Sequence, residues 1–375
     1  MSEEKFNALL SWGEQCGVTL NGAEFKLINE QKGYGLVATR YIHPGEVVLM
    51  IPSNVEISTE QILSDKYFKN ITADDCLSTK TAIILFLCLE KRKGNQSSFH
   101  DYINYVRNTS QKVGRLNVNS NDLPIAAYSQ YIDERDEKMT LIRELGKYAS
   151  TLSLFDNDFE WAVNLCLNRG IVDTARKDVP SVSLLPFVDM VNASQSPQVT
   201  LKKSIEGSYF VVVKENCFVE AGEEITIAYS NKSSNIRLWF RHGFTFAQNK
   251  NNTSMLIETD DLIKVTESTF YGFDIPNPTD KHELTIIKKR EMSEEMDDYC
   301  QRILDTYKQS YKGRLNLKRV KTKLLKKLRE DRENRFEEME DELKFVWADE
   351  IELIDAALQS LRSNVEDTLD ALEIA

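Results

Sequence analysis

The sequence is short of three things that would otherwise classify it at once. It has six cysteines but no CxxC pair, and only four histidines, none of them at zinc-ligand spacing to a cysteine pair. No metal centre is therefore expected. The cysteines (Cys16, Cys76, Cys88, Cys166, Cys217 and Cys300) read as reduced thiols, mostly filling the core. The longest apolar run, Ala82 to Leu89, is far too short to span a bilayer. The opening MSEEKFNALL lacks the basic and apolar regions of a secretory leader, so a cytoplasmic or nuclear home is expected. Positive charge is the third shortage: 47 Lys and Arg against 59 Asp and Glu give a net charge of -12. That argues against sequence-independent nucleic-acid binding and suits either steering of a basic protein partner or plain solubility.

What is present suffices for a folded core. At 375 residues, 41% hydrophobic and 28% charged, the chain has room for two domains. Residues 3–16 read as a helix with Phe6, Leu9, Leu10 and Cys16 on one face. Lys26–Ile28, Gly35–Ala38 and Val47–Ile51 read as strands, with His43-Pro44-Gly45-Glu46 as a turn and Pro52 as a stop. From about Thr59 to Gly170 the pattern is helical. It includes a core helix from Thr79 to Lys93 and a helix opening at Asp158-Phe159-Glu160-Trp161, with Asp158 as its N-cap. Gly114–Asp122 reads as a surface loop and Asn249–Thr253 as a polar linker. Beyond it, Met255-Leu256-Ile257 is strand-like. Two stripes then follow at helical spacing: Val320, Leu324, Leu328, and Ile354, Leu358, Leu361, Val365, Leu369, Leu372. Both are expected to face a core.

Five short motifs could carry chemistry, each with a plainer alternative. Gly33-Tyr34-Gly35-Leu36 lets a backbone approach a ligand closely, or is a simple turn. Arg169 in Asn168-Arg169-Gly170 can hold a carboxylate through its forked donors, or serve the helix dipole. Asn192 in Asp189-Met190-Val191-Asn192-Ala193-Ser194 can be a ligand or a turn residue. The alternation Ile225, Ile227, Tyr229 puts Tyr229 on a buried face, as a core tyrosine would be. Arg241-His242-Gly243-Phe244 closes the series.

Taken in this order, the motifs resemble a SET domain, the catalytic fold of most protein lysine methyltransferases. The branch is that of the Rubisco large-subunit methyltransferase and the yeast ribosomal-protein lysine methyltransferases. The resemblance covers roughly Leu20 to Ala247, and more loosely the helical remainder. It implies an α+β chain: a β-rich SET domain over 1–252 with a helical insertion at about 59–170, then an all-α substrate-binding-like domain over 253–375.

The resemblance further implies an S-adenosyl-L-methionine-dependent protein-lysine N-methyltransferase that uses no metal. Methyl transfer to an amine is chiefly a positioning problem, with the amine held neutral. Gly33, Tyr34, Gly35, Arg169, Asn192, Ala193, Tyr229 and Phe244 would bind the cofactor, and Tyr229 would be catalytic. Arg169, Asp189, Tyr229 and His242 would meet the substrate, a basic ribosomal or translation-associated protein. A monomer is implied, with no nucleic acid and no membrane. The chain departs from the family at Ala193, where His is usual, at Ile171, where an aromatic is usual, at Ser230 for Gly, and at His242 for Tyr. Two rival readings share the fold: a protein-histidine methyltransferase, and a degenerate SET fold serving as an interaction module.

Overall fold

A computed structural model describes residues 3–64, 68, 77–107, 118–119, 122–152, 156–173, 181–230, 233–252, 254–270, 276, 278, 283–288, 291–310, 315–341 and 343–373. Contacts divide the chain into two units. The first is residues 1–114, 135–231 and 241–243; the second is 115–134, 232–240 and 244–375. The units alternate along the chain, where the sequence suggested a single boundary at 252/253.

In the first unit α1 (Glu3–Gln15) buries Phe6 and Leu9 and packs Leu10 and Cys16 behind them, as the sequence predicted. Short strands follow: β1 (Thr19–Leu20), β2 (Ala23–Asn29), β3 (Gly33–Ala38) and β4 (Val47–Ile51). Gly45 supplies the positive φ of the turn before β4. After β5 (Ile57–Ser58) and α2 (Thr59–Ser64) comes α3 (Thr79–Lys93). Ser78 caps α3 by accepting the Thr81 N–H at 3.1 Å, and Lys91, Arg92 and Lys93 sit at its negative end. Next come α4 (His100–Val106), α5 (Ile125–Leu152), of which residues 135–152 belong to this unit and 125–134 to the second, and α6 (Asp156–Arg169). The start of α6 at Asp156 places Asp158 in the first turn, not at the cap. An acidic residue suits the dipole anywhere in that turn, so the two positions are hard to tell apart in sequence. The Gly114–Asp122 loop lies largely outside the described residues, as does Cys76. Cys88 and Cys166 are buried free thiols; Cys16 and Cys217 are half-buried.

The remaining strands of this unit are β6 (Ile171–Asp173), β7 (Ser181–Leu184), β8 (Val199–Lys203), β9 (Tyr209–Val213) and β10 (Glu224–Ile225). They complete three antiparallel sheets, ordered β1-β4-β9-β8, β10-β3-β2 and β5-β7-β6. A single apolar cluster joins them, with Leu36, Leu49, Ile51, Ile84, Leu85 and Leu184 fully excluded from solvent.

The second unit holds α7 (Asn235–His242) up to Phe240, then β11 (Ser254–Glu258), α8 (Thr259–Thr269), β12 (Glu283–Lys288), β13 (Glu291–Met292), α9 (Glu294–Ser310), α10 (Leu317–Glu338) and α11 (Lys344–Glu373). The region is helical as expected but not all-α, because β11, β12 and β13 form an antiparallel sheet. Val320, Leu324, Leu328, Ile354 and Leu358 are buried in its core, and Leu361 packs against it. The side chains of Val365, Leu369 and Leu372 lie outside those described. Of the expected linker at 249–253, residues 249–252 form a bonded turn, with Asn252 N–H donating to Asn249 O at 3.0 Å. Asn249 is 2% exposed and donates through Nδ2 to Ser233 O and Asn235 Oδ1, both at 3.0 Å. Asn235 in turn donates through Nδ2 to Phe246 O and to Asp349 Oδ1, both at 2.9 Å.

Candidate active site

The site's charged floor is built where α6 ends. Arg169 donates through Nη1 to Asp189 O at 2.8 Å and to Asp189 Oδ2 at 3.2 Å. The Tyr102 hydroxyl, from α4, donates to the same Oδ2 at 2.8 Å. The Asp189 side chain is 1% exposed and that of Arg169 16%, so this is a buried pair. Burial pushes the Asp189 carboxyl above its ordinary value, against the pull of Arg169 and Tyr102. Burial also works against the Arg169 charge, but Asp189 and the surrounding phenols outweigh it and hold the guanidinium protonated. Desolvation wins at the carboxylate and Coulombic attraction wins at the guanidinium.

Asp189 stands in a single tight turn, Val188–Met190, that the chain enters through Phe187 at φ 73°. A left-handed phenylalanine costs about 1–3 kcal/mol. Its ring is clamped in the core against Gly13, where a Cβ would lie 2.2 Å from the ring.

Above the floor, Asn192 donates through Nδ2 to Glu224 Oε1 at 2.7 Å and, longer, to Tyr34 O at 3.5 Å. Lys32 pairs with the other oxygen of Glu224 at 2.6 Å. Gly35 is small for this reason: a Cβ there would lie 2.7 Å from Asn192 Nδ2 and 3.0 Å from Glu224 Oε1. The Gly33-Tyr34-Gly35 segment is thus the start of β3, not a free loop. The Tyr34 ring stacks on Phe6 at 3.6 Å, which leaves its backbone at the site.

Main-chain bonds tie this segment to the next. Ile227 N–H donates to Asn192 O at 3.0 Å, Ser194 N–H to Ile227 O at 3.1 Å, and Ala193 bridges Ile227 in parallel. Two residues further on stands Tyr229, which is 37% exposed and so is not the core tyrosine its spacing allowed. His242 faces it with ring centroids 5.0 Å apart and planes at 54°. His242 Nδ1 is 3.0 Å from Asn168 Oδ1, and an amide oxygen only accepts, so Nδ1 carries the proton and Nε2 the lone pair. Burial, then repulsion from Arg241 and Arg169, brings the imidazole down to about 4, with Asn168 opposing. The Tyr229 phenol is pushed up to about 12, first by desolvation and then by Asp189 and Glu224, with Arg169 opposing. Both groups are therefore neutral near pH 7.

The first unit therefore gathers Gly33, Tyr34, Gly35, Arg169, Asp189, Asn192, Ala193, Tyr229 and His242. Phe244 belongs to the second unit, where its ring meets Phe246 edge-on at 5.2 Å. The sequence reading missed Tyr102, Glu224 and Asn168 as members of the site. Tyr102 had shown only helical spacing, and Glu224 only an acidic turn. Among the described residues, no group of His, Cys, Asp and Glu side chains is disposed to hold a metal ion.

Comparison with known proteins bears on the family and the fold. The sequence model of one family, the SET domain, matches residues 33–230. The chain is 25% identical over 262 residues to the chloroplastic [fructose-bisphosphate aldolase]-lysine N-methyltransferase of Arabidopsis thaliana, covering 64% of this chain and 51% of that one. It is 24% identical over 276 residues to the actin-histidine N-methyltransferase of Danio rerio, covering 66% and 43%. The chain thus spans about half the length of the curated relatives it matches. Among solved structures, the SET domain of LSMT bound to lysine and AdoHcy superposes with TM-score 0.60 at 16% identity, covering 97% of this chain and 91% of that one. Rubisco LSMT bound to AdoMet gives 0.58 at 16% identity, covering 98% and 92%.

Proposed function

The chain belongs to the SET-domain family, and from that premise we propose that it is a protein-lysine N-methyltransferase using S-adenosyl-L-methionine. Its substrate in this reading is a basic protein of the translation machinery, met in the cytoplasm or nucleus by a monomer. The observation that carries the reading is Tyr229, a partly exposed neutral phenol whose ring faces the neutral imidazole of His242 and whose hydroxyl lies within the electrostatic reach of a charged Arg169.

The residues fit the donor's amino-acid end. A protonated Arg169 suits its carboxylate. Asn192, whose Nδ2 is committed to Glu224, turns its Oδ1 the other way as an acceptor suited to an ammonium. Backbone groups of Tyr34 and Gly35 would line the same wall. When bound, the donor supplies an electrophilic methyl on a sulfonium. Tyr229 then orients: with a phenol near 12 it does not act as a base near neutral pH, and its hydroxyl directs the incoming nitrogen. Burial that lowers His242 to about 4 acts equally on a lysine brought beside it, favouring the neutral amine that attack requires.

His242 also supports a second reading. A neutral imidazole beside Tyr229 offers a hydrogen-bonding wall to a ring nitrogen, and actin-histidine methyltransferases are among the relatives. One experiment separates the possibilities. The protein is incubated with methyl-labelled donor and ribosomal proteins, and the hydrolysed product is resolved. Label in methyl-lysine supports the proposal, and label in methyl-histidine replaces it with the second reading. Failure of the purified protein to bind donor in calorimetry would leave only an interaction module on this fold.

A further inference from the structure

Elsewhere in the first unit, the segment around Ile42 meets the segment around Val219 in an isolated antiparallel bridge. Ile42 and Val219 exchange both N–H···O bonds, at 2.9 and 3.1 Å, and both side chains are fully buried. The neighbours of an inward pair point outward, so Tyr41, His43, Phe218 and Glu220 share one outer face. Tyr41 and Phe218 are 45% and 53% exposed and stack with centroids 5.6 Å apart and planes at 18°. His43 meets Tyr41 edge-on at 4.8 Å. A bonded backbone thus holds two stacked rings out in water, where their apolar faces are unfavourable.

The segments that carry the rings are rich in glutamate, and their one arginine is already paired. The nearby Arg40 is engaged with Glu46, Nη2 to Oε2 at 2.6 Å and Nη1 to Oε1 at 3.2 Å, and also donates to Tyr41 O. That leaves Glu215, Glu220 and Glu223, all exposed. Glu215 borders the turn, since a Cβ on Gly45 would lie 3.6 Å from its carboxylate. Glu223 accepts the Glu220 N–H at 2.9 Å, which fixes the opposite rim. Electron-rich ring faces edged by carboxylates match side-chain cations, and a net charge of -12 draws such a partner from a distance.

We propose that this face docks an arginine- and lysine-rich segment of the protein substrate, whose cations lie over Tyr41 and Phe218 and pair with the glutamate rim. That the segment belongs to the methyl acceptor rests on the function proposed above; that the face takes a basic segment does not.

The test uses the full chain and a fluorescein-labelled peptide of alternating Arg, Lys and Gly, with a counterpart carrying Gln at each basic position. Anisotropy should report binding of the basic peptide only. The double variant Tyr41→Ser with Phe218→Ser should bind it about tenfold more weakly. Glu215→Gln with Glu220→Gln and Glu223→Gln should weaken it by a similar factor and flatten its salt dependence. Glu3→Gln with Glu4→Gln, a loss of acid outside the patch, should leave binding unchanged. Equal binding by the serine variant, equal loss in the Glu3/Glu4 control, or no binding by the wild type would each overturn the proposal. So would a wild-type dimer that ignores the peptide and dissociates in the serine variant, because the face would then serve self-association. Donor affinity measured in parallel keeps the two readings apart: donor bound with no peptide effect defeats only the docking face, and peptide bound without donor defeats only the methyl-transfer reading.

Discussion

Two carboxylates, one in each unit, are held in different ways, although the second unit also buries a matched pair, Glu350 with Arg332 at 2.6 Å. In the first, Asp189 is sealed against a guanidinium and a phenol, so its charge is matched by a cation. In the second, Asp349 is held by an amide: both its oxygens accept from Asn235 Nδ2, at 2.9 and 3.2 Å. No cation is among the causes of its raised pKa. Burial comes first, then the like charges of Glu352 and Glu350, and the carboxyl rises to about 7 despite its bonds to neutral amides. A carboxylate matched by a cation builds an electrostatic site, while one matched by an amide becomes a proton-holding clasp that closes a turn. The first arrangement lies among the residues of the candidate site, and the second makes the turn at Asn235 sensitive to pH.

The hardest way to break this contrast is to remove the cation. Arg169→Ala leaves Asp189 buried without its partner and should cost about 3–5 kcal/mol in denaturant unfolding, with donor affinity weakened as well. A loss below about 1 kcal/mol would mean that water reaches the carboxylate. Tyr229→Phe sharpens the contrast from the other side. Removing one positioned hydroxyl should lower turnover by about a hundredfold while leaving donor affinity and stability unchanged, and unaltered turnover would refute the role.

The pH response is the next test, read as the stability difference between variant and wild type. The folded-state pKa of Asp349 is raised. The wild type therefore loses stability as pH climbs from its unfolded value toward about 7, and Asp349→Asn should gain on it across that window. His242 is depressed, so the wild type loses stability as pH falls from about 6.5 to about 4, and His242→Asn should gain in that direction. Each difference has a ceiling of about 1.4 kcal/mol for every tenfold change in proton affinity between the folded and unfolded chain. Parallel slopes for the two variants would erase the contrast.

Two glycines close the series. Gly35→Ala forces a methyl between Asn192 and Glu224 and should cost about 1–3 kcal/mol together with a measurable loss of donor affinity. Gly146, in helix α5, has open space where its Cβ would stand, so Gly146→Ala should stabilise by about 1 kcal/mol in thermal melts without touching the site.

Much of this was legible in the sequence, for identifiable reasons. Helix α3 was bounded correctly because a serine cap and a basic last turn bracket an apolar run. Asn192 and Tyr229 were singled out because their motifs follow the family's order, although Tyr229's period-two spacing with two isoleucines suggested burial that the fold does not impose. Glu224, Tyr102 and Asn168 were not singled out, because each acts through side-chain bonds to residues distant in sequence and leaves no periodic trace. The sheet of the second unit was missed for a similar reason. In Glu283–Lys288 the buried residues Leu284, Ile286 and Ile287 are not strictly alternating, and charged flanks favour a helical reading. Phe244 was grouped with the SET half because Arg241-His242-Gly243-Phe244 resembles a family motif, whereas its contacts place it in the second unit.

The bridge between Ala193 and Ile227 has a kinetic consequence. It joins two stretches that the whole β8–β9 hairpin separates, so its closure entropy must be met before Asn192 and the segment leading to Tyr229 are brought together. Refolding followed by two probes should show compaction of the apolar interior first and ligand competence only afterwards. A chain released early from the ribosome would be collapsed but not yet functional.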